Sequence, residues 1–285
     1  GRRSGAESPQ GGRQVTGGEH VQGIADVWPD KKPLIGMVHL LPLPGSPRWS
    51  GPTDAALDRA ARDAHTLQEA GFDGVLVENF LDVPFFADSV PAETVAAMTA
   101  AVLEVMAKVS LPIGVNVLRN DAAAAMAIAA VTGAAFIRVN VHTGSMYTDQ
   151  GLIEGKAYDT LRRRSDLGVD VRVLADVHVK HASSPAGSTL SDAAADTWHR
   201  GLADALIVSG PGTNRAASAD DLRVVKDTVG GAPVLIGSGL ATEHASELLS
   251  LADGAIVGSA IMNDGRPGAG VDPGRAAAFI GAVRS

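Results

Sequence analysis

The sequence predicts an α/β protein built as a single-domain (β/α)₈ TIM barrel, and three observations support this fold class. From residue 32 onward, short β-branched runs alternate with longer alanine-rich runs. Eight such units fit into the 285 residues, and eight is the number of strands that closes a parallel sheet into this barrel. The first predicted strand leads into HLLPLPGSP and not into a GxGxxG turn, which disfavours an open doubly wound sheet.

The predicted strands are short apolar runs that are rich in β-branched residues. Consecutive strands are separated by enough residues for one helix and two loops. The predicted strands are Leu34–His39, Gly74–Glu78, residues 113–117, 136–141, 171–179, 205–209 and 234–237, and Gly254–Val257.

The segments between the strands have the periodicity of helices with one apolar side. In the first of them, Asp54–Ala70, the side chains of Leu57, Ala64 and Leu67 share one side, and Gly71 follows as a C-cap. The predicted helices are Asp54–Ala70 and residues 93–109, 121–132, 156–165, 191–200, 219–229, 243–251 and 273–283.

Composition excludes several classes of function. The formal net charge of -8 disfavours non-specific binding to nucleic acid and to anionic membranes. The absence of cysteine excludes disulfides, thiolate catalysis and cysteine-ligated metals, and it fits a cytoplasmic protein. No apolar run reaches the length of a membrane span, so membrane insertion is not expected.

The first 20 residues differ from the rest of the chain. They are charged and rich in glycine, and they contain no apolar segment of the kind found in a secretory signal. Such a composition buries too little apolar area to offset the entropy of ordering. We therefore expect residues 1–20 to be a disordered tail and residues 21–285 to form the barrel.

Polar residues recur late on the inward faces of five predicted strands, at a period of two. Barrel strands are buried on both faces, so these polar residues are costly unless they serve a site. The late ends of parallel strands meet at one rim, where we expect a catalytic site. The predicted catalytic residues are His39, Glu78, Asn116, Arg138, Asn140, Asp176, His178 and Lys180.

The fifth predicted strand suggests specific roles. Asp176 and His178 are two residues apart, so both can face one cavity, and Asp176 can orient the histidine or act as a base itself. Lys180 can form a Schiff base, hold an anion, or be a solvated loop residue. Arg138 can pair with Glu78 as a buried bridge, or it can clamp a substrate carboxylate or phosphate.

A divalent metal is an open alternative, although no motif implies a cofactor. The side chains of His39, Glu78, Asp176 and His178 are of the types that bind zinc or manganese. No HxH or HExxH spacing fixes such a site, so no residue is assigned as a metal ligand.

Two glycine–serine turns, in LIGSGLAT and AIVGSAIM, follow the last two predicted strands. Glycine lets the backbone approach an anion, and exposed amides near a helix N-terminus bind it. Barrels commonly hold phosphate in these loops, and tight-turn chemistry alone is the alternative explanation. The predicted phosphate-binding residues, which include part of the sixth-strand loop VSGPGTN, are Ser209, Gly210, Gly237, Ser238, Gly239, Gly258 and Ser259.

Several long motifs resemble the BtpA/SgcQ family. They are PLIGMVHLLPLPGSP, GVLVENFLDVPF, GVNVLRNDA, FIRVNVHTG, LADVHVKHA and the closing GSG and VGS turns, within about residues 32–279. The resemblance implies a TIM barrel related to ribulose-phosphate-binding barrels. One branch of the family is named for photosystem I biogenesis and another for a sugar-related operon.

The chain departs from the family pattern at two places. Many relatives have a Thr–Gly pair in the sixth loop, where this chain has Thr213 and Asn214. Many have a lysine shortly after the last glycine–serine turn, where this chain has Met262 and Asn263. The second departure removes a cation from the expected anion site and leaves the backbone to bind the anion.

Three functions follow from this sequence. The first is an enzyme that acts by acid–base chemistry on a phosphorylated sugar or a phosphoribosyl or nucleoside-like molecule, as an isomerase, a lyase or a glycosidic-bond transferase. The others are a non-catalytic assembly factor of the photosystem I biogenesis type, which the family resemblance implies, and a phosphosugar-binding sensor. A phosphorylated small molecule and further copies of the chain are the expected partners.

Removal of residues 1–20 should leave the melting temperature unchanged, because this segment cannot contribute a packed core. The comparison is between the full chain and a variant that starts at Val21, with the melting temperature measured by circular dichroism. A loss of many degrees would show that the segment packs on the barrel.

Overall fold

A computed structural model describes residues 21–29, 31–179, 181–210 and 217–284. The predicted fold class is confirmed, since eight parallel strands close into a barrel and each is followed by a helix. Each strand pairs with its neighbours in the chain, and the last strand pairs with the first. The strands are β1 (Leu34–His39), β2 (Gly74–Glu78), β3 (Ile113–Asn116), β4 (Phe136–Val139), β5 (Arg172–Asp176), β6 (Ala205–Val208), β7 (Val234–Ile236) and β8 (Gly254–Val257).

The helices form the outer layer and lie close to the predicted ranges. The fifth differs most, because its last turn continues as the π-helix Asp196–Arg200. The eight helices are α1 (Asp54–Ala70), α2 (Ala92–Met106), α3 (Ala122–Thr132), α4 (Ala157–Asp166), α5 (Leu190–Ala195), α6 (Ala219–Thr228), α7 (Thr242–Leu251) and α8 (Pro273–Arg284). Within the described residues, no helix is both long enough and apolar enough to cross a bilayer.

Two strands, β4 and β5, end two and three residues earlier than predicted, whereas the other ends differ by at most one residue. The ladder between β4 and β5 runs from the Phe136–Arg172 pair to the Val139–Ala175 pair, and β5 ends one residue later at Asp176. The alternation of side chains between the two faces of a sheet holds only within the ladder. It therefore does not determine the direction of His178, which lies beyond the strand.

A small antiparallel sheet, which the sequence did not predict, covers the loops after β4 and β5. Its three strands are Ser145–Thr148, Gly151–Glu154 and Ala182–Ser183. One face carries the buried side chains of Met146 and Ile153, which pack with residues of both loops. The sheet therefore ties the two loops together at this side of the barrel mouth.

The amino-terminal end of the barrel is closed by the segment before β1. Trp28 is buried there, and its ring packs edge-on against Phe136 inside the barrel with centroids 5.2 Å apart. The indole Nε1 donates to the carbonyl of Asp73 over 2.8 Å, which satisfies its polar atom. Because this end is closed, a ligand must enter from the carboxyl ends of the strands.

Replacement of Gly114 by alanine should destabilise the barrel by about 1–3 kcal/mol. A Cβ atom at this position on β3 would lie 2.1 Å from Cε2 of Phe136, which fills the barrel interior. Gly281→Ala in α8 is the matched control, because its Cβ meets no atom within 4 Å, and it should be neutral or stabilising by up to about 1 kcal/mol. Urea unfolding measures both, and equal midpoints would contradict the packing argument.

Candidate active site

A cavity opens at the carboxyl ends of β1, β2, β4, β7 and β8. It encloses about 430 Å³, including its opening to solvent. The cavity brings three predicted catalytic residues together with both glycine–serine turns. It is lined by Met37, His39, Glu78, Phe80, Arg138, Gly237, Ser238, Gly239, Gly258, Ser259 and Pro267.

His39 and Glu78 form one wall of this cavity. They are register partners at the ends of β1 and β2, and His39 Nε2 lies 3.5 Å from Glu78 Oε1. The amide of Gly268 donates to His39 Nδ1 over 3.0 Å, so the neutral ring carries its proton on Nε2. Phe80 stacks on the imidazole with centroids 4.2 Å apart. The ring is therefore fixed with its Nε2 proton on the side of Glu78.

Arg138 and Asp176 form a buried ion pair between β4 and β5. Arg138 Nε and Nη2 donate to the two carboxylate oxygens over 3.0 and 2.9 Å. Burial alone would lower the pKa of Arg138, but the charge and hydrogen bonds of Asp176, with the charge of Glu78, raise it above its usual value. The guanidinium is thus a permanent cation at the cavity, held by a carboxylate that is itself enclosed.

Asparagine and serine side chains add further hydrogen bonds around this pair. Asn140 Nδ2 donates to Asp176 Oδ2 over 3.0 Å, and the Ser209 hydroxyl donates to Oδ1 over 3.2 Å. Asn116 Nδ2 donates to the Asn140 side-chain oxygen and to the Arg138 carbonyl. These three residues and Asp176 are therefore fixed next to Arg138, and none of them lines the cavity itself.

The two glycine–serine turns differ in what their glycines do. A Cβ on Gly237 would lie 2.3 Å from both Ser209 Oγ and Ile207 Cγ2, so glycine is required here for close strand packing. A Cβ on Gly258 would meet only Met37, at 3.5 Å, so this position borders the open cavity. The packing explanation thus accounts for Gly237, whereas Gly258 is open to a ligand.

The turn after β7 also contains unpaired donors. Ser238 is 8% exposed, and its buried hydroxyl has no hydrogen-bond partner among the described residues. Within the same described part of the chain, the amides of Ser238, Gly239 and Ser259 have no acceptor. The buried Ser238 hydroxyl and the half-exposed amides of Gly239 and Ser259 are therefore available to donate to a group in the cavity.

Comparison with known proteins identifies the family. A sequence model described as the BtpA family matches residues 30–285. The chain belongs to the BtpA family. This confirms the resemblance inferred from the sequence motifs.

Two relatives illustrate the range of this family. The chain is 47% identical to the photosystem I biogenesis protein BtpA of Synechocystis over 251 residues, which is 88% of each chain. It is 31% identical to the putative sgc region protein SgcQ of Escherichia coli over 260 residues, 90% of this chain and 96% of the relative.

Solved structures with the same fold are much more distant in sequence. A native KDPGal structure has a TM-score of 0.56 at 17% identity and covers 90% of this BtpA-family chain and 95% of its own. Thiamine phosphate pyrophosphorylase of Pyrococcus furiosus has a TM-score of 0.56 at 12% identity, with 89% and 96% covered. N-(5′-phosphoribosyl)anthranilate isomerase of the same organism has a TM-score of 0.52 at 13% identity, with 88% and 98% covered. At these identities the similarity shows the fold alone.

Several predicted site residues of this BtpA-family chain lie away from the cavity. His178 borders a second cleft with Ser209 and Gly210, where its Nε2 lies 3.3 Å from the Ser184 hydroxyl. Burial lowers the pKa of His178. The hydrogen-bond partner of His178 is Ser184, whereas Asp176 binds Arg138, Asn140 and Ser209, so Asp176 and His178 do not form a pair. Lys180 lies outside the described residues.

The four side chains of metal-binding type in the sequence analysis do not meet at one point. Across the described ranges, no group of three His, Asp or Glu side chains has an arrangement that could hold a metal ion. Of the four side chains considered as donors, His39 and Glu78 are adjacent, Asp176 binds Arg138, and His178 is in the other cleft. These positions do not form a ligand set.

Arg119 is a charged residue near the site that the sequence reasoning missed. It is 6% exposed in the loop after β3, and it interacts electrostatically with Asp176 and Glu78. Burial lowers its pKa, and the two carboxylates oppose that effect. Arg119 falls outside the period-two series of β3, so the search along inward strand faces could not find it. In the sequence, Arg119 appears as an arginine that follows the apolar pair VL and precedes NDA in a short loop.

Replacement of Asp176 by asparagine should destabilise the protein by about 3–5 kcal/mol, because the Arg138 charge would remain buried without a counter-charge. Ser209→Ala is the control at the same carboxylate, since it removes one donor and should cost about 1–2 kcal/mol. Urea unfolding at neutral pH measures both variants. A stability of Asp176→Asn equal to that of the wild type would contradict the role of this ion pair.

Proposed function

We propose that this BtpA-family barrel is an enzyme that acts on a phosphorylated sugar, or on a phosphoribosyl or nucleoside-like compound, by acid–base chemistry. The observation that carries the proposal is the composition of one cavity. Turns with unpaired hydrogen-bond donors adjoin a fixed His39–Glu78 pair, and Arg138 contributes a permanent positive charge. A phosphorylated molecule with a reacting group a few bonds from its phosphate would use all three features.

The turns after β7 and β8 would hold the phosphate. The Ser238 hydroxyl and the amides of Ser238, Gly239 and Ser259 are donors, and phosphate oxygens are strong acceptors. Two solved structures with this fold are proteins whose names include a phosphoribosyl group or thiamine phosphate, which supports the choice of ligand class. Ser209 and Gly210, which were also predicted to bind phosphate, line the second cleft and are not part of this proposed site.

The proton transfer would take place between substrate and the His39–Glu78 pair. Glu78 can accept a proton from the substrate as a carboxylate. His39 can donate its Nε2 proton to a leaving or carbonyl oxygen and recover a proton at the same nitrogen from the adjacent Glu78, so that the ring ends neutral. The fixed Arg138 guanidinium would stabilise negative charge that develops on the substrate. Isomerisation, lysis and glycosidic transfer all use such a proton movement beside an anchored phosphate.

Asp176 then has a supporting part in this proposal. Both its oxygens accept hydrogen bonds from Arg138, and its side chain is fully enclosed. A carboxylate in this state holds the guanidinium in position and has no open path to a substrate proton. Glu78, which lines the cavity, is the better candidate for the base.

A non-catalytic role is the second candidate function, and it is supported by the name of the Synechocystis relative at 47% identity. A third candidate is a protein that binds phosphosugars as a sensor and does not convert them. The binding protein would keep the phosphate turns, whereas an assembly factor would need an exposed interaction surface, and neither would need the fixed His39–Glu78 pair. We also propose that the protein acts in the cytoplasm as a homo-oligomer, without nucleic acid.

Phosphate binding can be tested without knowledge of the substrate. Inorganic phosphate and a panel of sugar phosphates and nucleoside monophosphates should raise the melting temperature of the wild type. Ser238→Ala should weaken binding by about 5–30-fold through loss of one donor to a charged group, and Gly258→Leu should abolish it by filling the cavity. Gly230→Leu is the control, because this exposed glycine has open space around it. Equal protection of all variants would contradict the phosphate site.

Catalysis is tested with any compound that protects the wild type. Glu78→Gln should retain binding and slow conversion by roughly 100-fold or more, because the amide cannot accept the proton. Conversion is followed by NMR spectroscopy of the compound. Conversion at the wild-type rate would contradict the role of Glu78, and binding without conversion by the wild type would favour the non-catalytic alternatives.

A further inference from the structure

The loop between β8 and α8 folds back over the cavity as a compact unit. Met262 and Val271 form an antiparallel bridge at its base, and Asn263 binds the loop carbonyls of Ala269 and Gly270 through its side chain. Met262 is fully buried among the residues inside the barrel. The loop is thus anchored at its base, and its tip reaches the cavity at Pro267.

Two residues of α1 hold this loop from outside the barrel. Arg59 Nη2 donates to the carbonyl of Gly268, and Asp63 Oδ1 accepts from the amide of Val271 over 3.1 Å. Arg59 Nε lies 3.6 Å from Asp63 Oδ2, so the two side chains also bind each other. A Cβ on Gly270 would lie 3.3 Å from Arg59 Nε, which shows how closely the loop packs on this pair.

The same glycine is bound from inside the barrel by His39. Gly268 accepts from Arg59 through its carbonyl and donates to His39 Nδ1 through its amide. Gly268 has a φ of +82°, and a Cβ there would lie 2.7 Å from Leu81, so the loop backbone has little freedom to shift. Gly268 therefore connects α1 to the imidazole in the cavity.

We propose that Arg59 and Asp63 are positioning residues that set the tautomer of His39. By holding Gly268, they keep a hydrogen-bond donor at Nδ1, so that the ring proton stays on Nε2 on the side of Glu78. In a neutral imidazole the two tautomers are chosen by the partners of the two nitrogens. Neither α1 residue lines the cavity, so their effect passes through the loop. This inference deepens the proposed function, because it concerns how the acid–base group of that site is prepared.

If Arg59 and Asp63 only stabilised the packing of α1 against the loop, a different result would be expected. Removal of Arg59 would then lower the stability of the protein and leave the tautomer of His39 unchanged. A positioning role requires that the imidazole itself responds. The proton distribution on the His39 ring therefore separates the two.

The test is ¹⁵N NMR of the full chain labelled at histidine, at about pH 8.5, where imidazoles are neutral. Two-bond ¹H–¹⁵N correlations show which ring nitrogen carries the proton. The resonances of His39 among the eight histidines are identified by their loss in His39→Gln. We expect the Nε2–H form in the wild type. In Arg59→Met, the ratio of Nε2–H to Nδ1–H should fall about 5-fold or more, as for loss of one hydrogen bond.

Arg62→Met is the matched control, because Arg62 is an exposed arginine of the same helix and should leave the tautomer unchanged. Arg59→Lys keeps a donor and should restore part of the wild-type ratio. If Arg59→Met does not fold, Asp63→Asn carries the test, since it keeps an acceptor for Val271 and removes the charge that orients Arg59. An Nδ1–H wild type, or an unchanged His39 in these variants, would overturn the proposal. No substrate is used, so an unchanged His39 in these variants would leave the proposed function intact, whereas an Nδ1–H wild type would also remove the proton donor assigned to His39.

Discussion

A guanidinium and a carboxylate lie inside this barrel with almost no contact with water, between the ends of β4 and β5. Enclosing two charges costs more free energy than most single interactions return, so such a pair persists only when its geometry and further hydrogen bonds offset that cost. The Asp176 carboxylate accepts two hydrogen bonds from Arg138 and one each from Asn140 and Ser209, and Asn116 in turn binds Asn140. The network reaches from β3 to the residue after β6, and it fixes four neighbouring units relative to one another.

This network divides the mouth of the barrel into two halves. On the side of β3 to β6, the polar side chains bind one another, and the second cleft borders His178, Ser209 and Gly210. On the side of β7, β8, β1 and β2, the turns leave a cavity, and the donors near it are not all paired. Arg138 belongs to both halves, since Asp176 holds it from one side and its guanidinium borders the cavity on the other. The hydrogen-bonded half thus fixes the position of Arg138 at the edge of the cavity.

The sequence predicted the fold because strand and helix periodicities are local, and all eight barrel strands appear close to their predicted ranges. It also predicted that late polar residues of several strands converge, and His39, Glu78 and Arg138 do meet at one cavity. It did not reveal which polar groups bind each other. Asp176 and His178 have the same spacing as a catalytic pair, yet the ladder ends between them. Arg119 and the Gly268 contact come from loops, where no periodicity applies and only the folded chain brings the partners together.

The closed amino-terminal end of the barrel constrains the order in which the chain can be assembled. Trp28 packs against Phe136, and Arg172 binds the carbonyl of Val21, 151 positions earlier in the chain. A growing chain must therefore leave Trp28 without its final contacts until β4 has been synthesised, and the carbonyl of Val21 without its partner until β5 follows. Contacts of such long range slow folding, because the entropy of closing the intervening chain is lost before they form. Until those segments exist, the apolar indole of Trp28 lacks the partners that bury it in the folded protein.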